Sequence, residues 1–195
     1  MNEHLWWYLS RSSGVVAFGV LTASVAFGLV LSTRLLGRTV APAWLLEIHR
    51  YLGAVGLAAT LLHMGALVAD GYTDFGIKDL LVPLSSHWKP GPVAWGVVAF
   101  WILVAIEATS LLMRKIPRNV WHAVHMTSFL LFAAALMHGL QAGTDAKTRM
   151  AQTIAIATTM TVLFLGLVRY LAPPRAARRL RAAAAKAAEQ ISEAS

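Results

Sequence analysis

The sequence predicts an all-α integral membrane protein, a bundle of five transmembrane helices. Of its 195 residues, 57% are hydrophobic and only 13% are charged. Its apolar stretches run to about 20 residues, which is the length that a helix needs to span a bilayer. The chain contains no cysteine, so disulfide bonds and cysteine-ligated iron–sulfur clusters are excluded.

Five segments have the length and apolarity of a membrane span. They run from Gly14 to Ser32, from Trp44 to Ala69, from Pro92 to Met113, from Val120 to Leu140 and from Met150 to Ala172. Helix signals agree with these bounds, because Pro42 opens the second span, Pro117 precedes the fourth and Pro173 follows the fifth. No basic segment precedes the first span, which is longer than the core of a signal peptide, so we interpret it as a retained helix.

The distribution of basic residues predicts the orientation of the bundle. One side carries Arg34, Arg38, Arg114, Lys115, Arg118 and the cluster Arg175, Arg178, Arg179 and Arg181. On the other side, fewer Lys and Arg are diluted by aspartates. Because cytoplasmic loops carry the excess of Lys and Arg, we expect the N-terminus outside and the C-terminus in the cytoplasm of a multi-pass protein of the inner or plasma membrane. The net charge of +8 is therefore a topology signal, and no nucleic-acid-binding motif accompanies it.

Two parts of the chain differ in composition. Residues 1–172 form the predicted membrane domain, and residues 173–195 form an alanine-rich tail with interspersed Arg, Lys and Glu. Alanine favours helix, so we expect the tail to be a cytoplasmic helix. Its basic start favours contact with the lipid bilayer over docking of a soluble reductase.

Four histidines lie deep in two of the predicted spans. They are His49 and His63 in the second span and His125 and His138 in the fourth. An imidazole in a bilayer core costs free energy unless it has a partner or a metal. The first histidine of each span lies seven or eight residues after the nearest preceding proline, and the second lies about 20 Å further along the helix axis. The histidines therefore form two levels, and each level is predicted to hold a heme with one axial imidazole from each span.

Helical phase supports this arrangement in only one of the two spans. At about 100° per residue, the fourteen-residue step in the second span returns to within about 40° of the same face. The thirteen-residue step in the fourth span misses that face by about 140°. A bend restores the phase if Thr127 or Ser128 hydrogen bonds back to the preceding turn.

Further candidate residues lie near the two levels. Heme propionates need cationic or hydrogen-bonding partners. The candidates are Arg50, Arg114, Arg118 and His122 on the inner side and Arg11 on the outer side. For each arginine, the alternative is an ordinary snorkelling or topology-determining residue. Phe132 is a candidate for packing between the two hemes, and aromatic filler in a helix bundle is the alternative.

The histidine pattern resembles the ferric reductase-like transmembrane domain that ferric reductases and NADPH oxidases share. Two spans separated by one other carry His-x13-His and His-x12-His, in the strings EIHRYLG, LLHMG, WHAVHMTSF and LMHGLQAGTD. The likeness covers most of residues 6 to 145 and is to small bacterial members of that superfamily. It implies two non-covalent b-type hemes that carry electrons across the membrane. By this resemblance His49 and His125 ligate the inner heme, and His63 and His138 ligate the outer one.

The resemblance does not extend to all parts of the large family members. Those carry a C-terminal flavin and nicotinamide domain, usually with one more transmembrane helix at the N-terminus. Here about 23 residues follow the last predicted span, and no Gly-rich phosphate-binding fingerprint follows a strand. We therefore expect no flavin or nicotinamide site on this chain. The expected donor is a separate cytoplasmic flavoprotein or a membrane quinol, and the acceptor is extracytoplasmic.

Two alternatives to a di-heme electron carrier stay open at this point. One is a single-heme membrane subunit that serves a periplasmic reductase, similar to the membrane subunit of bacterial methionine sulfoxide reductase systems. The other belongs to a different class, a heme-free permease in which histidines line a path for protons or metal ions.

Overall fold

The structure, a computed structural model, describes residues 5–33, 42–70, 75–171 and 190. Within these residues the regular secondary structure is entirely helical, as expected. The described residues form seven helices in chain order: α1 (Leu5–Thr33), α2 (Pro42–Ala69), α3 (Ile77–Leu81), α4 (Pro90–Leu111), α5 (Arg118–Met126), α6 (Ser128–Ala142) and α7 (Arg149–Leu171).

In the part of the chain that the structure describes, five segments are long and apolar enough to cross a membrane. They are α1, α2, α4, α7 and the pair α5–α6, which together form one span over Arg118–Ala142. This confirms a multi-pass membrane protein with the predicted number of spans. The predicted tail helix over residues 173–195 lies outside the described residues, apart from Gln190.

The first span starts earlier than the sequence predicts. α1 begins at Leu5 rather than at Gly14. The hydroxyls of Ser12 and Ser13 both donate to the carbonyl of Leu9, at 3.2 and 2.6 Å. Serines that bond to the preceding turn satisfy their own polar groups within the helix, so this polar stretch continues the helix instead of ending it.

The fourth span is divided at Thr127. The Thr127 hydroxyl and backbone N–H both donate to the carbonyl of Val124, at 2.6 and 3.0 Å. The ψ angle of Thr127 is −3°, far from the value of about −42° in a regular α-helix. The carbonyl of Thr127 then accepts the N–H of Leu131 at 2.8 Å, and α6 continues. The predicted hydrogen bond from Thr127 to the preceding turn is therefore confirmed, and the helix is interrupted at this residue.

The core lies between α4 and α6. Its buried residues are Ala99, Leu103 and Ile106 of α4 with Leu131 and Ala134 of α6. The small Ala99 and Ala134 allow the two backbones to approach closely, which is how membrane helices gain packing contacts. Leu21 of α1 and Leu57 of α2 pack against the same cluster. The α1–α2 hairpin is thereby joined to the α4–α6 unit, and the histidine-bearing spans face each other.

The short helix α3 and its flanks form a cap that the sequence did not predict. Phe75 and Leu80 are buried against Val93 and Val97 of α4. The indole Nε1 of Trp101, also on α4, donates to the carbonyl of Leu81 at 2.9 Å. These contacts hold α3 and Phe75 against α4.

Candidate functional site

The four histidines of the two spans form two pairs in space. The ring centres of His49 on α2 and His125 on α5 are 5.8 Å apart, and the rings are inclined at 75°. Those of His63 on α2 and His138 on α6 are 6.3 Å apart and inclined at 76°. The structure therefore brings together the residues that were expected to share a level.

The division of the fourth span explains how both pairs form. His125 lies on α5 and His138 on α6, on either side of Thr127. A continuous helix would turn one ring about 140° away from the other. Because the helix is interrupted between them, both imidazoles face α2.

Both ring separations fit two axial ligands on a single iron. A metal–imidazole bond is about 2.0 Å long, and a ring nitrogen lies about 1.1 Å from the centre of its five-membered ring. Two imidazoles on opposite sides of one iron thus have ring centres about 6 Å apart. Within the described residues, no group of three or more His, Cys, Asp or Glu is placed to hold a metal ion. Two imidazoles per level suit a heme, whose porphyrin supplies the other ligands, better than a zinc site.

Three of the four imidazoles are held by backbone carbonyls of a neighbouring helix. The bonds run from His49 Nδ1 to Ser24 O at 2.9 Å, from His63 Nδ1 to Ser10 O at 2.6 Å and from His138 Nδ1 to Pro92 O at 2.9 Å. A carbonyl only accepts, so in these rings Nδ1 carries the proton. Nε2 is then left with a lone pair for a metal, which is the usual arrangement of a ligating histidine.

A glycine lies four residues after each anchoring carbonyl. Gly14 follows Ser10, Gly28 follows Ser24 and Gly96 follows Pro92. A Cβ atom at these glycines would lie 2.9, 3.2 and 2.8 Å from the nearest atom of His63, His49 and His138 respectively. A side chain at Gly14 or Gly96 would therefore displace the imidazole that it meets, and a side chain at Gly28 would crowd the His49 ring. The histidine pattern alone does not predict a role for these glycines, although Gly14 and Gly28 have the same fourteen-residue spacing as His49 and His63.

His125 differs from the other three histidines. Its Nδ1 is buried without a hydrogen-bond partner among the described residues, and so is the Nε1 of Trp121. The Trp121 ring stacks on the His125 ring, with centres 5.0 Å apart and planes inclined at 24°. Trp121 lies one helical turn before His125 on α5.

The aromatic candidate between the levels has a partner that was not predicted. Phe132 is buried and stacks on Phe18 of α1, with ring centres 5.9 Å apart and planes at 25°. Phe132 lies about midway along its span between His125 and His138. This ring pair fills the space between α1 and α6.

The remaining candidates lie outside the two pairs. His122 is exposed on α5, and its ring centre lies 6.4 Å from that of Trp121. The Arg11 guanidinium forms an ion pair with Asp145 and lies 4.6 Å from the ring centre of Trp7. Arg50, Arg114 and Arg118 are exposed. Arg114 and Arg118 flank the turn between α4 and α5, at the end of the bundle nearer the His49–His125 pair.

These features define a multi-pass helical membrane protein with two histidine pairs inside the bundle. A family model described as ferric reductase like transmembrane component matches residues 13–136. The chain belongs to this family. The match includes His49, His63 and His125 and ends two residues before His138. No curated protein and no solved structure matches the chain.

Proposed function

We propose that this protein is a transmembrane b-type cytochrome that passes electrons from a cytoplasmic donor to an extracytoplasmic acceptor. The observation that carries the proposal is the two histidine pairs, whose ring centres are 5.8 and 6.3 Å apart. Membership of the ferric reductase-like family supports a role in transmembrane electron transfer. The donor is a separate flavoprotein reductase or a membrane quinol.

Residues 1–172 form the heme-binding domain in this proposal, and residues 173–195 form a cytoplasmic tail. His49 and His125 hold the inner heme, and His63 and His138 hold the outer one. When bound, each heme supplies a one-electron redox centre. The chain itself fixes the tautomers of three of the four imidazoles through backbone carbonyls, as hydrogen-bond acceptors behind the ligands do in other metal sites. Arg50, Arg114, Arg118 and His122 are proposed partners of the inner propionates, and Arg11, steadied by Asp145, of the outer ones.

The contacts favour this function over a path for protons or metal ions. In three of the four rings a backbone carbonyl already holds one nitrogen, so a single nitrogen remains for a ligand. Between the two levels the buried side chains include Phe132, Leu131 and Ala134, which are apolar. A conduction path needs polar groups or water along its length. Two separate ligand sites in an apolar bundle need neither polar groups nor water between them.

The two pairs also favour two hemes over one. Their ring separations differ by only half an ångström, and their inclinations differ by one degree. Each pair takes one imidazole from α2 and one from the α5–α6 span. A single-heme subunit would need only one such pair.

Heme content and electron flux together test the proposal. Purified wild-type protein should contain about two hemes per chain, because each six-coordinate iron uses two imidazoles. In oriented proteoliposomes with reductant on the tail side, an impermeant acceptor on the opposite side should be reduced. His63→Ala should lower the content to about one heme and abolish this flux. His87→Ala, which removes an exposed histidine outside both pairs, is the matched control and should change neither.

Three outcomes would contradict separate parts of the proposal. A reproducible content near one heme in fully loaded wild-type protein would exclude the two-heme arrangement. Flux that persists in His63→Ala would show that electrons do not pass through the His63–His138 level. Colourless protein after heme-supplemented expression would leave the permease as the better interpretation.

A further inference from the structure

The two levels are not equivalent in how the chain holds its imidazoles. At the His63–His138 level, both Nδ1 atoms donate to backbone carbonyls, at 2.6 and 2.9 Å. At the other level, only His49 does so, and the Nδ1 of His125 is buried without a hydrogen-bond partner in the described part of the chain. Ligating histidines almost always donate their second ring N–H to an acceptor that fixes the ring. His125 is the exception within this protein.

The sequence of α4 explains why His125 has no anchoring carbonyl. Pro92 and Gly96 anchor the histidine of the other level. The carbonyls thirteen and fourteen residues further along α4 belong to Ala105 and Ile106. Both accept the hydroxyl of Thr109, at 2.7 and 3.1 Å. Thr109 itself stands thirteen residues beyond Gly96, so a branched side chain lies where the pattern requires glycine.

α5 packs against this turn of α4. Val124, the residue before His125, contacts the buried cluster that contains Ile106. A ring on α5 therefore has a neighbouring backbone, but the branched side chain of Thr109 stands where the other level has the bare backbone of Gly96. The imidazole of His125 is instead covered by the face of Trp121, with ring centres 5.0 Å apart. Stacking restricts the plane of a ring, although it offers Nδ1–H no acceptor.

We infer that Trp121 is the positioning residue for His125, and that His125 is the exchangeable axial ligand among the four histidines. This inference rests on the proposed heme sites. A ligand without a hydrogen-bonded second nitrogen is a weaker donor and is oriented less firmly than its three counterparts. An external ligand such as carbon monoxide therefore enters at the inner level, on the side of His125, once the stack is removed.

Three variants test this inference. Trp121→Leu removes the stack, Trp121→Phe keeps an aromatic face and removes the indole N–H, and Trp44→Leu is the control. Trp44 is an exposed tryptophan at the start of α2, at the same end of the bundle, and its ring contacts no histidine within the described residues. Each variant is purified, its hemes are counted, and its ferric electron paramagnetic resonance spectrum is recorded. Carbon monoxide binding is then measured on the reduced protein.

Trp121→Leu should convert about one of the two low-spin hemes to a high-spin form, and about one heme per chain should bind carbon monoxide. Loss of that one heme from Trp121→Leu supports the inference equally. Trp121→Phe and Trp44→Leu should behave as wild type. Two unchanged low-spin signals in Trp121→Leu would overturn the inference, and so would a Trp121→Phe variant as altered as Trp121→Leu. Wild-type protein with two hemes would in either case leave the proposed function intact.

Discussion

At the scale of single residues, the site depends on glycines as much as on histidines. Gly14 and Gly96 each face an imidazole at a distance too short for a Cβ atom, and Gly28 faces one at a distance that a Cβ atom would make tight. In a helix interior, glycine is less favourable than alanine by about 1 kcal/mol. Glycine at these three positions therefore lowers the stability of the helix. It also leaves the space through which an imidazole reaches a carbonyl of the adjacent helix.

Replacing Gly14 by alanine should disturb the His63 ring and nothing else nearby. The new methyl group would lie 2.9 Å from His63 Nδ1, closer than real Cβ contacts, so the ring must leave the Ser10 carbonyl. We expect heme affinity at this level to fall about 10–100-fold, the usual effect of losing such a partner. The protein is diluted, and its heme content and the low-spin electron paramagnetic resonance signal of the His63–His138 level are then measured to check the prediction.

Gly19→Ala is the matched control on the same helix. Among the described residues, no atom outside the local stretch of α1 lies within 4 Å of the position that a Cβ of residue 19 would take. Both substitutions raise helix propensity equally, so propensity alone predicts that both variants are as stable as wild type or more so. Equal heme retention in the two variants would contradict the anchoring role of Gly14.

At the scale of helices, the interruption at Thr127 decides whether both pairs exist. The sequence predicted the bend because threonine bonds back to the preceding turn and because the thirteen-residue step is out of phase. It did not show that the helix divides into α5 and α6. The five-residue helix α3 could not be predicted, because it is too short for a periodic pattern and depends on contacts with α4.

The anchoring carbonyls were also beyond the sequence-based prediction. Depth along the spans was enough to pair His49 with His125 and His63 with His138. It said nothing of α1, whose carbonyls at Ser10 and Ser24 hold the two imidazoles of α2. That contact depends on how the α1–α2 hairpin packs, which hydrophobicity does not determine. The equal spacing of the glycines on α1 and the histidines on α2 was the available signal.

Inserting one alanine directly after Thr127 should remove one level. The insertion rotates α6 relative to α5 by about 100°, so His125 and His138 can no longer both face α2. We expect about one heme per chain by pyridine hemochrome assay. The same insertion after Lys147, in the connection between α6 and α7, is the control and should leave two hemes. Two intact low-spin hemes in the Thr127 insertion would show that the phase between α5 and α6 does not matter.

At the scale of the whole molecule, composition alone predicted the five spans, because bilayer thickness sets the length of a helix that crosses it. The packing that joins the α1–α2 hairpin to α4 and α6 then places the two histidine pairs at different heights in the same bundle. One end of the bundle carries Arg114 and Arg118, and the other carries the Arg11–Asp145 ion pair. The direction of electron flow in the proposed function follows from which end is cytoplasmic.

Cysteine labelling should reveal this orientation, since the chain has no cysteine of its own. Asn119 and Thr144 are both exposed, neutral and polar, and lie at opposite ends of the α5–α6 span. Because basic loops stay in the cytoplasm, an impermeant maleimide should label Thr144→Cys in intact cells and Asn119→Cys only after permeabilisation. Wild-type protein should remain unlabelled throughout. The reverse pattern would place the His49–His125 level outside, and electrons from a cytoplasmic donor would then meet the His63–His138 level first.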